Sequence, residues 1–189
     1  MRAIAPDIPE YDYDSEKYPV LAMKNLGIRF GGLHAAEDVN LSIYEHEIVG
    51  LIGPNGAGKT TIFNMMTGVY MPTEGEIELM GKSIKGMPTY KITYEGISRT
   101  FQNIRLFKSM TVLENIKVAF QSRMYYSMAD GLTRDSYYER EENGCDERAR
   151  ELLRVFDMEE MADWNANSLP YGLQRKLEIC RAMATNPKL

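Results

Sequence analysis

Hydrophobic and polar residues alternate along much of the first part of the chain, which is the pattern of half-buried strands. The segments "VLAMKNLGIRF" and "HAAEDVNLSIY" both alternate over parts of their length, and Gly31-Gly32 between them is a turn signal. We therefore predict two strands joined by a turn.

A different pattern follows in "EIVGLIG", an almost continuous apolar run. Such a run is typical of a strand that is buried on both faces of a parallel sheet. We predict this strand, then a helix from Lys59 to about Thr67, and a returning strand at "GEIELM". A short helix near Thr89 to Glu95 and a strand at "GISRTF" complete this part of the chain.

The later part of the chain has a helical pattern. Thr111 and Glu114 form a capping box that opens an apolar-rich helix. The segment "DERARELLRVFDM" predicts a second amphipathic helix, and a third is predicted from Gly172 to about Thr185. Between Gln121 and Asn143 lies an insert rich in tyrosine and charge, to which the sequence assigns no order.

These elements predict one α/β domain preceded by an arm. Residues 1–19, with their acidic side chains and prolines, are predicted to be a loosely ordered arm, and the domain covers residues 20–189. Its parts are a β-rich and core part at 20–107, a helical part at 108–175 that contains the insert 121–143, and a return to the core at 176–189.

Composition narrows the function classes. The net charge of −5 gives no general attraction to nucleic acid. No run approaches the roughly 18 apolar residues of a membrane helix, and the start lacks the apolar stretch of a secretory signal. Cys145 and Cys180 lie far apart without metal-ligand spacing, so we expect a reduced, cytoplasmic protein.

The segment "GPNGAGKT" matches the phosphate-binding pattern G-x-x-x-x-G-K-[ST] in full, between a predicted strand and a predicted helix. Glycines let successive backbone N–H groups surround a phosphate closely, and the following helix N-terminus adds positive potential. Lys59 is expected to reach the β and γ phosphates, Thr60 to ligate Mg²⁺ and Thr61 to donate to the α phosphate. The predicted nucleotide-binding residues of this loop are Gly53, Pro54, Asn55, Gly56, Ala57, Gly58, Lys59, Thr60 and Thr61.

The next motif discriminates among nucleotide-binding families. The segment "GISRTFQNIRLFKSMTVLENI" resembles the Q-loop region of ABC ATPases. The resemblance implies that Gln102 ligates Mg²⁺, helps to place the attacking water and couples the site to a membrane partner. A neutral amide suits this role because it can ligate the metal and withdraw when a hinge moves.

The segment "LPYGLQRKLEICRAM" resembles the ABC signature motif LSGGQ and the helix that follows it. With "RTFQNIRLF" and the insert, its Tyr-Gly is similar to the ATP-binding subunits of branched-chain amino acid importers, the LivG type. The residues that match the signature are Leu169, Pro170, Tyr171, Gly172, Leu173 and Gln174.

This signature departs from the family pattern. Pro170 provides neither a hydroxyl nor an N–H, so the backbone N–H groups of Tyr171 and Gly172 are left to contact the γ phosphate of a partner's ATP. Leu173 stands where the signature glutamine belongs, and Gln174 is the nearest amide. We interpret the stretch as a subfamily variant that relies on its backbone.

For residues outside these motifs, the sequence gives weaker indications of a role. Phe30 matches the aromatic residue that stacks on adenine in the family, with core packing as the alternative. Cys180 is expected to be a core thiol, and His46 a solvated turn residue. The acidic pairs Glu141-Glu142 and Asp146-Glu147 are expected to lie on a solvated face.

The resemblance implies an ABC-type P-loop fold, with a strand-rich subdomain, a RecA-like core and a helical subdomain, incomplete at the C-terminus. It implies ATP and Mg²⁺ as cofactors, and transmembrane permease subunits and a second ATP-binding subunit as partners. The protein would lie at the inner face of the cell membrane and would bind no nucleic acid. Three alternatives stay open: an importer of urea or short amides, an ABC ATPase of translation or repair, and a binding fragment without turnover.

The family continues beyond "ATNPKL" with a strand that ends in Asp-Glu, called Walker B, and with a switch histidine. Neither occurs in these 189 residues. We therefore expect the chain alone to bind nucleotide and to hydrolyse it poorly, because positioning supplies most of the catalysis in phosphoryl transfer.

Overall fold

The structure is a computed structural model that describes residues 18–120 and 136–189. The described residues form two compact units. The first contains the described residues up to Ile62 together with Met71–Lys85, and the second contains Phe63–Tyr70 and the described residues from Gly86 to Leu189.

An antiparallel sheet with the strand order β2-β1-β3-β4 forms the first unit. Its central strand β1 pairs Leu21 with Ile43 of β2 on one side and with Leu79 of β3 on the other. The apolar residues of β1 that are buried are Leu21, Ala22, Met23, Leu26 and Ile28. The strands are β1 (Leu21–Phe30), β2 (Leu33–Ile43), β3 (Glu74–Leu79) and β4 (Lys82–Ser83).

The predicted hairpin and the strand at "GEIELM" are confirmed. A bulge interrupts the hairpin, where Asn25 has a φ of 49° and the register shifts. There the Asn25 backbone N–H donates to Asn40 Oδ1 at 2.8 Å, and the side-chain amides of Asn25 and Asn40 both donate to Asp38 Oδ1 at 2.8 Å. The Asn25 carbonyl also lies where a Cβ on Gly75 would stand, 2.2 Å away, so Gly75 accepts no side chain.

The prediction of a buried strand at "EIVGLIG" is wrong for this structure. Residues 47–53 form no strand, and the side chains of Ile48 and Ile52 are 101% and 95% exposed. A strand exists only where a neighbour completes its hydrogen-bond ladder, and no segment among the described residues does so here. Apolar sequence alone therefore did not decide the local structure.

Two predicted helices occur with almost the predicted limits. Helix α1 (Lys59–Met66) follows the phosphate-binding motif, and α2 (Thr89–Glu95) ends at Gly96. Gly96 has a φ of 123°, and a Cβ there would lie 2.9 Å from the Lys188 side chain. The chain can therefore leave α2 in this direction only with glycine.

The remaining helices pack around a second hydrophobic core, which belongs to the second unit. The capping box is confirmed, since Glu114 Oε2 accepts from the Thr111 N–H at 2.8 Å and Thr111 Oγ1 accepts from the Glu114 N–H at 3.1 Å. The helices are α3 (Val112–Phe120), α4 (Ser136–Val155) and α5 (Tyr171–Ala184), with short 3₁₀ turns at Glu159–Met161 and Ala166–Ser168.

Helix α4 begins earlier than the sequence predicted, at Ser136, so the last part of the insert is helical. The rest of the insert, residues 121–135, and the N-terminal arm up to residue 17 lie outside the described residues. Among the helices of the described ranges, none has the length and apolar character needed to cross a membrane.

The predicted strand at "GISRTF" is also wrong. Residues 97–101 have no regular structure and are held by isolated contacts. The Ser98 N–H donates to the Leu189 carbonyl at 2.9 Å, and the Lys188 and Leu189 N–H groups donate to the Gly96 carbonyl at 2.7 and 3.1 Å. These three hydrogen bonds fix the beginning of the segment without building a ladder.

Candidate functional site

The phosphate-binding motif forms an exposed loop in the first unit. Gly56 and Gly58 have φ values of 84° and 78°, in the left-handed region where glycine costs least. Gly58 also lies against β2, because a Cβ there would be only 2.5 Å from the Ala35 carbonyl oxygen. The loop can hold this shape, with its backbone close to the sheet, only if residue 58 has no side chain.

Lys59 is folded over this loop. Its Nζ donates to the carbonyl oxygens of Gly53 and Pro54, both at 2.6 Å. The ammonium therefore lies at the centre of the loop, held by two neutral acceptors. A phosphate oxygen carries more charge than a carbonyl and would be a stronger acceptor for the same group.

Helix α1 begins at Lys59, which leaves the first N–H groups of its first turn without intrahelical acceptors. Thr60 and Thr61 lie in this turn, Thr60 being exposed and Thr61 half-buried. Together with the Asn55 N–H in the loop, this arrangement fits a phosphate chain with a bound Mg²⁺.

Phe30 is the last residue of β1, directly before the turn at Gly31. Its side chain is 46% exposed, so it is not a core residue. An exposed ring at a strand end has the surface that stacking on a base requires.

Gln102 lies in the second unit, with an exposed side chain. The chain just before it is fixed by Arg99, whose Nη1 donates to Asn64 Oδ1 at 2.8 Å and to Thr67 Oγ1 at 3.2 Å. The Arg99 guanidinium also lies 5.0 Å from the centre of the Phe101 ring. Partial burial lowers the pKa of Arg99, although the group stays charged.

Two side chains of α5 hold the backbone at Gln102. Arg175 donates to the Phe101 carbonyl at 2.6 Å and to the Gln102 carbonyl. Glu178, which is 6% exposed, accepts from the Phe101 N–H at 3.3 Å and from Arg175 at 3.1 Å. The sequence motifs indicated neither Arg175 nor Glu178 as a site residue. The spacing 171, 175, 178 on one helix face was the available signal.

The signature residues form the start of α5. Pro170 is the N-cap residue, without a side-chain cap, and Tyr171 and Gly172 begin the helix with exposed N–H groups. Leu173 is half-buried and packs on the core of the second unit. The Gln174 side-chain amide donates to the Leu169 carbonyl at 2.8 Å, so this amide binds the backbone just before the helix begins.

The structure also shows the surroundings of Cys180, His46 and the acidic residues that the sequence analysis named. Cys180 is fully buried, and burial raises the pKa of its thiol to about 12, as expected of a core thiol. His46 lies in a turn, as expected. Glu142 and Asp146 both pair with Lys117 of α3, and their side chains are 24% and 41% exposed, so this acidic face is paired and partly solvated.

Comparison with known proteins gives consistent matches. A family profile described as ABC transporter matches residues 36–189. The chain is 46% identical over 171 residues to the high-affinity branched-chain amino acid transport ATP-binding protein BraF of Pseudomonas aeruginosa, and 44% identical to LivG of Escherichia coli. Each alignment covers 90% of this chain and 67% of the relative. The lipopolysaccharide export ATP-binding protein LptB of E. coli is 36% identical over 168 residues, with 89% and 64% covered.

Solved structures that resemble this chain come from the same class of protein as the sequence matches. The ADP conformation of MJ1267, an ATP-binding cassette of an ABC transporter, matches with a TM-score of 0.74 and 31% identity over 89% of this chain and 66% of that one. The dimeric cassette MJ0796 matches with a TM-score of 0.70, 28% identity and coverage of 88% and 70%. The chain therefore spans about two thirds of the length of the proteins that it resembles.

Proposed function

The chain belongs to the ABC transporter family, and from this premise we propose that it is the nucleotide-binding part of an importer subunit that binds ATP with Mg²⁺. The observation that supports nucleotide binding most strongly is the loop from Gly53 to Gly58, with a glycine backbone against β2 and Lys59 at its centre. The importer role rests on the 46% and 44% identities to branched-chain amino acid transport proteins.

Within this proposal, Lys59 binds the β and γ phosphates, and the N–H groups of the loop and of Thr61 bind the remaining phosphate oxygens. Thr60 and Gln102 would hold Mg²⁺, which neutralises phosphate charge when bound. Phe30 stacks on the adenine ring. All these side chains are exposed or half-exposed, as ligand-binding groups must be.

The signature would act on a second molecule of ATP. We propose that the exposed N–H groups of Tyr171 and Gly172 contact the γ phosphate of ATP that is bound to a second ATP-binding subunit. Transmembrane permease subunits would be the other partners, which would hold the protein at the inner face of the cell membrane. The transported solutes would be branched-chain or other hydrophobic amino acids.

Hydrolysis by these 189 residues is proposed to be poor. The described residues contain phosphate-binding groups, but the sequence contains no strand ending in Asp-Glu after the signature. Without a carboxylate to orient water, binding and positioning of the phosphates remain. An ATPase assay on this chain, compared with a chain extended past Leu189, measures the difference, and equal turnover of the two would contradict the proposal.

Nucleotide binding is tested by titration calorimetry with ATP and the variant Lys59→Ala. A charged hydrogen bond of this kind contributes about 1.5–3 kcal/mol, so the affinity should fall about tenfold to about 150-fold. Lys91→Ala, which removes an exposed lysine of α2, is the matched control and should leave the affinity unchanged. An unchanged affinity in Lys59→Ala would refute the phosphate site.

The solute is tested in the source cells, with Lys59→Ala introduced into the gene. Uptake of radiolabelled leucine should fall while uptake of radiolabelled urea stays the same. Loss of urea uptake with normal leucine uptake would assign the protein to another importer class.

A further inference from the structure

We infer that Arg175 is a positioning residue, which together with Glu178 fixes the backbone of Gln102 to the signature helix α5. The inference rests on the proposed function of Gln102 as a Mg²⁺ ligand. All the groups involved belong to the second unit. Arg175 donates to two successive carbonyls, those of Phe101 at 2.6 Å and of Gln102.

Two successive carbonyls define a direction as well as a position. Because the planar guanidinium presents its N–H groups in a fixed fork, it binds both acceptors only when the two peptide groups on either side of Gln102 have one relative orientation. That orientation also determines where the Gln102 side chain leaves the backbone. Arg175 therefore acts on the Gln102 amide without touching it.

Glu178 completes the arrangement. Its Oε1 accepts from the Phe101 N–H at 3.3 Å, and its Oε2 accepts from Arg175 at 3.1 Å. The N–H and the carbonyl of Phe101 are thus both bound by the same ion pair. Glu178 is buried, and each of its two carboxylate oxygens accepts one of these hydrogen bonds. The pair is consequently a fixed part of the fold and not a mobile surface contact.

Tyr171 connects this pair to the signature. Its hydroxyl oxygen accepts from Arg175 Nε at 3.2 Å and from Nη2 at 3.0 Å, and the guanidinium lies 5.5 Å from the centre of its ring. Tyr171 is exposed at the first turn of α5, where a phosphate of a second subunit is proposed to bind. A ligand that moves Tyr171 therefore removes two hydrogen bonds of Arg175 and changes how strongly Gln102 is held.

The neighbouring cation provides a matched control. Lys176 has the same charge and lies on the same helix, but its Nζ donates to the Phe156 carbonyl at 3.3 Å, away from Gln102. Lys176→Gln therefore removes one positive charge from α5 without removing a contact to the Phe101-Gln102 backbone.

The first measurement is amide hydrogen exchange in Arg175→Gln. The Phe101 amide, whose N–H donates to Glu178, should exchange at least about tenfold faster, whereas amides in the middle of α5 should keep their rates. Lys176→Gln should change neither group. Unchanged exchange at Phe101 would overturn the inference.

The second measurement separates positioning from a structural role. ATP affinity is measured with Mg²⁺ and again with EDTA in the wild type, Gln102→Ala, Arg175→Gln and Lys176→Gln. Arg175→Gln should lose most of the affinity gained from Mg²⁺, as Gln102→Ala does, while its affinity in EDTA stays within about twofold of the wild type. Equal losses with and without Mg²⁺, or an unchanged Mg²⁺ gain, would show that Arg175 does not position Gln102.

The remaining outcomes are also decisive. If Gln102→Ala keeps the full Mg²⁺ gain, the proposed role of Gln102 is wrong and the positioning role falls with it, which differs from a failure confined to Arg175→Gln. If Arg175→Gln does not fold, Arg175→Lys replaces it. A single ammonium cannot occupy both carbonyls in the fork geometry, so an intermediate Mg²⁺ gain is expected, and a full gain overturns the inference.

Discussion

Replacing Gly58 by alanine should distort the nucleotide-binding loop more than replacing any other glycine of this loop by alanine. Alanine in the left-handed region costs about 1–2 kcal/mol. The new Cβ would also lie 2.5 Å from the Ala35 carbonyl oxygen, whereas carbon and oxygen normally approach to about 3.3 Å. Loop or strand must therefore move by about 0.8 Å, and we expect a total cost of about 2–4 kcal/mol.

Gly56 separates the two contributions. It has a φ of 84° but nothing within 4 Å of a Cβ, so Gly56→Ala carries the backbone cost alone, about 1–2 kcal/mol. These free-energy costs should destabilise the loop conformation that binds phosphate. ATP affinity should therefore drop about 30-fold to about 1,000-fold in Gly58→Ala and about 5-fold to about 30-fold in Gly56→Ala.

Titration calorimetry with ATP measures these affinities, and urea denaturation shows whether the variants stay folded. Gly144→Ala in α4, where a Cβ meets nothing, is the control and should bind ATP normally. If Gly58→Ala binds ATP as well as Gly56→Ala, the contact with Ala35 does not shape the loop and the reasoning is refuted.

Three further outcomes follow from the second unit. Asn115→Ala should lower the free energy of unfolding by about 3 kcal/mol in urea denaturation, because the buried amide makes three hydrogen bonds to the backbone, and a loss below about 1 kcal/mol would contradict this. Hydrogen bonds from Thr111 hold the pKa of Glu114 below 4.5, so its stabilisation is present above pH 4.5 and is lost as the pH falls through the folded pKa. The stability difference between the wild type and Glu114→Gln should therefore shrink on acidification, and a constant difference would argue against the capping box. Cys145 and Cys180 should resist iodoacetamide at pH 8 until urea is added, since burial raises the pKa of both thiols, and rapid labelling of the native chain would disprove their burial.

Local sequence signals predicted local structure well in this chain. The hairpin, α1 and the capping box each depend on residues a few positions apart, such as Thr111 and Glu114. The loop at Gly58 was predicted for the same reason, because the motif contains both the glycines and the lysine that it needs.

Structure that depends on distant partners was not predictable in this way. The run around Ile48 has the composition of a strand, but a strand also needs a paired neighbour. Whether a neighbour is present depends on other parts of the chain and not on the run itself. The contact of Glu178 with Phe101 joins residues 77 positions apart, and nothing in either local sequence indicates the other. The candidate site was thus predictable in its phosphate loop and not in the groups that hold Gln102.

The polar cluster at Asn25, Asp38 and Asn40 has a consequence for the nucleotide site. Because side chains alternate between faces, a one-residue slip of β2 along β1 would turn its apolar set outwards and would also separate these three side chains. The cluster therefore fixes which residue of β2 presents its carbonyl to Gly58, and that residue is Ala35. Changes at Asn25, Asp38 or Asn40, which are not among the proposed nucleotide-binding residues, should consequently be measurable as changes in ATP affinity.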